Sequence, residues 1–314
     1  MINFIGRRFL TLLPTMMIPL ALVFFLIRLA PGDPAAVMLG DNASPEQVAS
    51  LREAMGFNNP IYIQFFAWLK QIFLLDLGNS IFLKQPVIDV VLSHAGVTLQ
   101  LTLYALIIAV IVGLLSGIIS AIYRNTAIDQ TVMIAAMVGV SLPEFWFGLN
   151  LILIFSVGLG WFPVTGYVPI SEGFFASLHS LTLPAVALGL IQAAFIARIT
   201  RSSMLDVINE DFIRTAKAKG IPNKLVIFKH ILKNAMIPIL TVIGITMAIL
   251  MGGAIAIETV FNLPGIGRTM LNAVTRRDYP LIQGLIVFIS FAFIIINLLV
   301  DIVYAFIDPR VKYK

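Results

Sequence analysis

The chain has 314 residues, of which 59% are hydrophobic and 12% charged, with a net charge of +5 and a mean hydropathy of +0.98. This composition lies outside the soluble range and describes a polytopic membrane protein whose helices pack against lipid and one another. With no cysteine, disulfides, thiolate metal sites and cysteine nucleophiles are excluded. The basic residues collect in loops beside apolar segments, which is not a nucleic-acid pattern.

The chain reads as all-α, with six transmembrane helices and an extracytoplasmic helical insert after the first. Arg7 and Arg8 precede an apolar stretch, 9–30, long enough to cross at about 20 residues per span. It is too long for a signal peptide and lacks an A-x-A-like cleavage site, so it reads as an uncleaved first span with the N-terminus inside. Pro14 and Pro19 fall within it, and Arg28 can snorkel at its outer end. Residues 31–96 hold no span. Ser44-Pro-Glu-Gln47 is a capping box, and Gly56 closes the short helix that it starts. The aromatic run Tyr62, Phe65, Phe66, Trp68 and Phe73 is too short and too polar to cross, so it lies along the interface or on the outer ends of the bundle.

The second span covers 97–122, and a short inner turn leads to the third, 130–157, interrupted at Leu142-Pro143-Glu144. A carboxylate there is expensive in hydrocarbon, so Glu144 faces protein or a water-filled path. Glu144, with Gln192 in the fourth span (181–200), is the candidate for the translocation path; a structural bond to a neighbouring helix is the other reading. The fifth span, 237–257, carries Gly244, Gly252 and Gly253, small enough for close helix contact. Glu258 sits at its outer end, and the sixth span covers 281–307. The 21 Lys and Arg fall mostly in the inner segments of this assignment, with both termini cytoplasmic.

Between the fourth and fifth spans lies the long basic segment 205–236. Its first helix should end at Gly220, a C′ residue, and Pro222 suits the first turn of a second. In that second helix Leu225, Phe228, Ile231, Leu232 and Ala235 share one face, and Lys224, Lys229 and Lys233 point to water. The first offers the small residues Thr215, Ala216 and Ala218 among Arg214, Lys217 and Lys219, a surface that lets a partner with an acidic rim approach closely. A loop that merely fixes topology is the plainer alternative.

Asp211-Phe-Ile-Arg-Thr-Ala-Lys-Ala-Lys-Gly220 and His230-Ile-Leu-Lys-Asn-Ala-Met-Ile-Pro238 resemble the EAA loop of ABC importer permeases. Aligned on Gly220, the Glu-Ala-Ala positions are Arg214, Thr215 and Ala216. Arg214, His230 and Lys233 stand where the general pattern has Glu, Ile and Pro, and this form is similar to that of the dipeptide, oligopeptide, glutathione and nickel permeases. Pro31-Gly-Asp-Pro34, Asp76-Leu-Gly-Asn-Ser80, the loop 258–268 and Arg277-Asp-Tyr-Pro280 resemble further signatures of that subgroup.

The resemblance implies a type I ABC importer-like permease divided into 1–30 (N-terminal segment and first span), 31–96 (extracytoplasmic segment) and 97–314 (five-helix core with the coupling loop 205–236). It implies that Asp211, Arg214, Thr215, Ala216, Lys217, Ala218 and Gly220 couple the chain to an ATPase. The partners it implies are a second homologous permease in a heterodimer, one or two ATPase subunits and an extracytoplasmic binding protein, in the bacterial inner membrane and with no nucleic acid. No cofactor is expected on this chain, since ATP and Mg are used by the ATPase subunits. There is no Gly-x-x-x-x-Gly-Lys-Ser/Thr, His-Glu-x-x-His or Gly-x-Ser-x-Gly, so no catalytic residues and no metal are expected. The rival is an ion-gradient-driven secondary transporter, whose internal repeats find no second copy of the outer insert here.

Overall fold

A computed structural model describes residues 14, 16–25, 28, 33–39, 43–54 and 56–307. These are helical almost throughout, without a strand among them. Two compact units divide the chain, one of residues 97–267 and 296–314, the other of 2–96 and 268–295.

In the second unit the described part of the first apolar stretch is helix α1, Met16–Phe25, and most of the remaining expected span lies outside the described residues. Helices α2 (Pro34–Leu39), α3 (Pro45–Ala54) and α4 (Ile61–Phe73) follow. The capping box forms: Gln47 N–H donates to Ser44 Oγ, and Ser44 N–H donates to Gln47 Oε1. The aromatic run becomes α4, whose Leu69 and Ile72 bury with Leu20. Phe24 rings meet Phe65 at 5.1 Å and Trp68 at 5.4 Å. Arg28 does not simply snorkel: its Nε donates to Gln64 at 2.9 Å and its guanidinium lies 3.4 Å over the Phe24 ring. The aromatic wall offers a nearer partner than water does.

Four helices, α5 (Val87–Ile122), α8 (Phe174–Ile208), Asn223–Gly252, which starts well before the fifth expected span and overlaps it, and Tyr279–Val300 of α13 (Tyr279–Ile307), are long and apolar enough to cross a membrane. The third expected span is a pair, α6 (Ala127–Ser141) and Glu144–Gly158, bent by 104°. The second half begins as α7 (Glu144–Leu151) and continues as a π turn, Ile152–Gly158. Pro143 has no N–H and forces Leu142 into extended backbone, φ −85° and ψ 134°, which ends α6. The chain then passes through α9 (Asp211–Ala218), the single turn α10 (Asn223–Leu225), a π turn (Val226–Leu232), α11 (Lys233–Val260) and α12 (Ile266–Thr275).

The seam between α5 and α8 is built from small residues every four positions. On α5 these are Ala105, Ala109, Gly113, Gly117 and Ala121; on α8 they are Ala185, Gly189, Ala193 and Ala197. A Cβ on Gly113 would stand 2.8 Å from the Ala193 carbonyl, one on Gly117 2.6 Å from that of Ala197, and one on Gly189 2.7 Å from that of Ala105. Backbones approach to the limit that hydrogen side chains permit. Successive contacts advance in the same direction along both helices, so α5 and α8 run parallel. Of the fifth-span glycines, Gly244 meets Val300, a Cβ on Gly252 would meet nothing, and the surroundings of Gly253 lie outside those described.

This direction sorts the ends of the first unit. One end buries Val97, Leu101, Leu151, Leu181, Leu183, Leu250 and Ile257 together. The other buries Ala121, Met204, Ile213, Val226, Ile231 and Ile239. Asp129, near the start of α6, bonds to Arg201 at the second end, whereas Leu151 of α7 packs at the first. The bent pair therefore carries the chain back across as one broken span.

Candidate functional site

The segment 209–239 forms the surface of the second end. Helix α9 stops where the sequence predicts. Gly220 has φ +74°, and its N–H donates to the Lys217 carbonyl (2.9 Å) while Ile221 N–H reaches back to Ala216 (3.3 Å). These two bonds close a helix over a left-handed glycine. A Cβ at Gly220 would meet nothing, so the angle, not space, requires glycine.

The faces differ from expectation. Ile213 is fully buried and Ala216 is 6% exposed, both packed on the Met204, Val226 and Ile231 cluster. Ala216 is thus not part of an outward docking face but seats the helix on the bundle, because α9 is a short helix turning only a narrow stripe inward. Asp211, Arg214, Thr215, Lys217 and Ala218 remain exposed. Asp211 and Arg214 form an exposed pair at 3.4 Å. In the second helix the predicted apolar face breaks up: Ile231 and Ala235 bury and Leu232 is half-buried, but Leu225 and Phe228 are exposed, Phe228 by 59%. The π turn is the reason. Its wider spacing brings Val226 and Ile231, five apart, onto the inner face that a regular helix would give to residues three or four apart. Phe212, Leu225 and Phe228 are left as exposed apolar side chains among Arg214, Lys217, Lys224 and Lys229.

The segment rests on an ion pair that the sequence reading did not single out. Arg201 donates to both oxygens of buried Asp129, at 2.6 and 2.7 Å. Ser120 Oγ and the Asn125 N–H complete the carboxylate's partners. The ends of α5, α6 and α8 are tied there. The signal was available in the topology, which already placed Asp129 and Arg201 at the same ends of different spans.

At the break, Glu144 opens α7 half-buried, and buried Gln192 of α8 lies beside it. The two expected path residues thus meet, 48 positions apart in sequence by their numbers. Two further buried carboxylates explain signature stretches. Glu258 accepts from Thr98 Oγ1 at 2.6 Å, and Thr98 in turn accepts from Ile266 N–H at 2.8 Å. A Cβ on Gly265 would strike the Glu258 carboxyl at 2.2 Å, which accounts for glycine in the loop. In the second unit Asp278 accepts from Ser80 Oγ (2.5 Å) and from the N–H groups of Ile81, Phe82 and Leu281. The 76–80 and 277–280 stretches are therefore tied through one buried contact, Ser80 to Asp278.

Comparison with known proteins gives a consistent result. The sequence model of a family described as binding-protein-dependent transport system inner membrane component matches residues 109–313, and that of the N-terminal part of such membrane components matches 1–102. The chain is 42% identical to a dipeptide transport system permease protein of Alkalihalophilus pseudofirmus over 333 aligned positions, covering 100% of both. It is 41% identical to a glutathione transport system permease protein of Salmonella typhi over 314 positions, again covering 100% of both. Among solved structures, an inward-facing MetNI methionine ABC transporter chain superposes with a TM-score of 0.58 at 18% identity, covering 70% of this chain and 97% of that one.

Proposed function

Since the chain belongs to the family of binding-protein-dependent transport system inner membrane components and is thus a permease subunit, we propose that it carries di- and oligopeptides, or a related small solute such as glutathione, across the bacterial inner membrane. The relatives named for dipeptide and glutathione transport, matched over their full length, support this solute class. The working complex holds a second homologous permease, one or two ATPase subunits that bind ATP and Mg, and an extracytoplasmic binding protein. This chain contributes the path and the lever, not catalytic groups. Both termini are cytoplasmic, on the side of the basic segment.

The observation that carries the coupling role is the seating of α9: Ile213 and Ala216 are locked into the core at the ends of α5, α8 and α11, while Arg214, Thr215, Lys217 and Ala218 face outward. Closure of an ATPase pair on ATP pushes this surface, and the packed helix ends pass the displacement to the spans. ATP must bind the closed state more tightly than the open one, or nothing moves. Glu144 and Gln192 line the path.

Uptake into proteoliposomes holding the whole complex tests the reading. Peptide accumulation should require ATP and the binding protein and survive an uncoupler. Uptake that persists without ATP and collapses with uncoupler would make the chain a gradient-driven carrier instead. Lys217→Glu, at the exposed face, should abolish uptake while the permease pair still assembles.

A further inference from the structure

Asp278 forms part of the wall of a cavity of about 160 Å³ in the second unit, with Phe82, His94, Asn272, Arg276 and Leu281 among the other lining residues. Its volume is that of about five waters and about half that of the smallest ordinary ligand pockets, about 300 Å³. It admits one side chain, not a peptide.

The charges that line it are committed unequally. A carboxylate has about four acceptor positions, and those of Asp278 are filled by Ser80 Oγ and the N–H groups of Ile81, Phe82 and Leu281. The Arg276 guanidinium lies 3.4 Å over the Phe82 ring, and no carboxylate among the described residues pairs with it. Stacking occupies the face of a guanidinium and leaves the N–H donors along its edge. The exposed Asn272 amide is likewise without a partner among the described residues. The His94 ring is held through Nδ1, which donates to the Val90 carbonyl at 2.7 Å.

One carboxylate fixes both halves of the stack. Asp278 holds the Phe82 N–H, and its own N–H donates to the Ala273 carbonyl at 2.9 Å, closing α12 beside Arg276. The freedom of a long side chain is thus reduced before any ligand arrives. α5 ends where Ala121 packs in one cluster with Ile213, so its first turns lie across the membrane from the basic segment. His94 is 28 positions before Ile122 by their numbers, about 42 Å along the helix. That exceeds the hydrocarbon layer of about 30 Å and matches the full bilayer of about 40–45 Å. At that height a protein in the outer water layer reaches the stack more readily than a lipid phosphate does.

We propose that the stacked Arg276 is a socket for one carboxylate side chain of the extracytoplasmic binding protein, bonding both of its oxygens, with Asn272 as a further donor. The edge of a guanidinium matches a carboxylate in two parallel hydrogen bonds. A cationic group would instead meet Arg276 and find the Asp278 oxygens already taken. This docking role rests on the proposed importer assembly, since it presupposes a binding protein as partner.

Docking is measured on the complete importer in nanodiscs, as the concentration of peptide-loaded binding protein that half-maximally stimulates ATP hydrolysis. Arg276→Gln should raise that concentration about tenfold with the maximal rate unchanged, the factor expected for a hydrogen bond to a charged group. Phe82→Ala, which keeps the charge and removes the ring, should raise it about threefold. Both side chains are exposed, Phe82 by 55%, so both variants should melt with the wild type. Amide replacement of the binding protein's exposed Asp and Glu residues, one at a time, should find one whose loss matches that of Arg276→Gln and adds nothing to it. Unchanged docking in Arg276→Gln, or no acidic residue coupled to it, overturns the proposal. A loss that follows the anionic lipid content of the nanodisc, and no residue of the binding protein, gives the stack to a lipid phosphate and overturns it equally. A wild-type importer whose ATP hydrolysis ignores the binding protein altogether refutes the importer assembly itself, and the socket with it.

Discussion

Two carboxylates occupy equivalent places in the broken span, Asp129 in the first turn of α6 and Glu144 in the first turn of α7, and their surroundings differ in kind. Asp129 is 3% exposed and takes hydrogen bonds from a guanidinium, a hydroxyl and a backbone N–H. Glu144 is half-buried, with the neutral amide of Gln192 beside it and no cation among its partners. Both helix starts accept negative charge equally well. The difference lies in what remains free. A fully bonded charge is a fixture of the fold, whereas Glu144 keeps acceptor capacity to spare.

The largest effect should come from breaking the fixture. Asp129→Ala strands the Arg201 guanidinium, and loss of one partner of a buried pair costs about 3–5 kcal/mol. The detergent-solubilised subunit should lose most of its thermal resistance, read as folded fraction after heating. Glu144→Gln should leave that measurement almost unchanged. If the two variants melt alike, the contrast between fixture and site is wrong.

The α5–α8 seam comes next. Gly117→Val places new carbon against the Ala197 backbone and Thr200, and overpacking of this kind costs about 1–3 kcal/mol. The same change at Gly252, where a Cβ would meet nothing, should stay within about 0.5 kcal/mol. Heating curves of the two variants check it. A smaller effect follows at Gly220→Ala, about 1 kcal/mol, from the left-handed angle alone. Limited proteolysis of the 209–236 segment should show the added fraying.

These contrasts mark what the sequence could show. Local rules were legible: the Ser44–Gln47 box, the Gly220 stop and the break at Pro143 depend on residues within a turn of each other. The seam was legible too, as small residues repeating every four positions on both 105–121 and 185–197, although only the fifth-span glycines were singled out. The inner face of 226–239 was not. A π turn adds a residue to the repeat without a proline or glycine to announce it, so helical periodicity placed Leu225 and Phe228 inside. Long-range bonds were out of reach for another reason. Asp278 and Ser80 lie 198 positions apart, and each stretch reads alone as an ordinary polar loop. Their pairing exists only once the fold brings them together, and what the sequence retains is an unexplained motif on each side.

The smallest stability effect belongs to the exposed face of α9, and there the contrast between buried and exposed is sharpest. Ala216 and Ala218 are two positions apart on α9, but Ala216 is buried against the core and Ala218 is exposed. Asp211 and Arg214, the exposed pair on the same helix, should contribute about 0–1 kcal/mol, so Asp211→Asn should scarcely move the melting temperature. Ala218→Trp should likewise leave the fold within about 0.5 kcal/mol, yet the indole stands on the face proposed to meet the ATPase. The expected outcome is a stable, inserted permease that fails to import and leaves the ATPase unresponsive to loaded binding protein. Ala216→Trp fails differently, since the side chain has no room and α9 must leave its seat before any partner is met. Paired assays of melting and uptake separate the two. Normal uptake by Ala218→Trp would mean that force enters the permease through the exposed Leu225 and Phe228 region of the second helix rather than through α9.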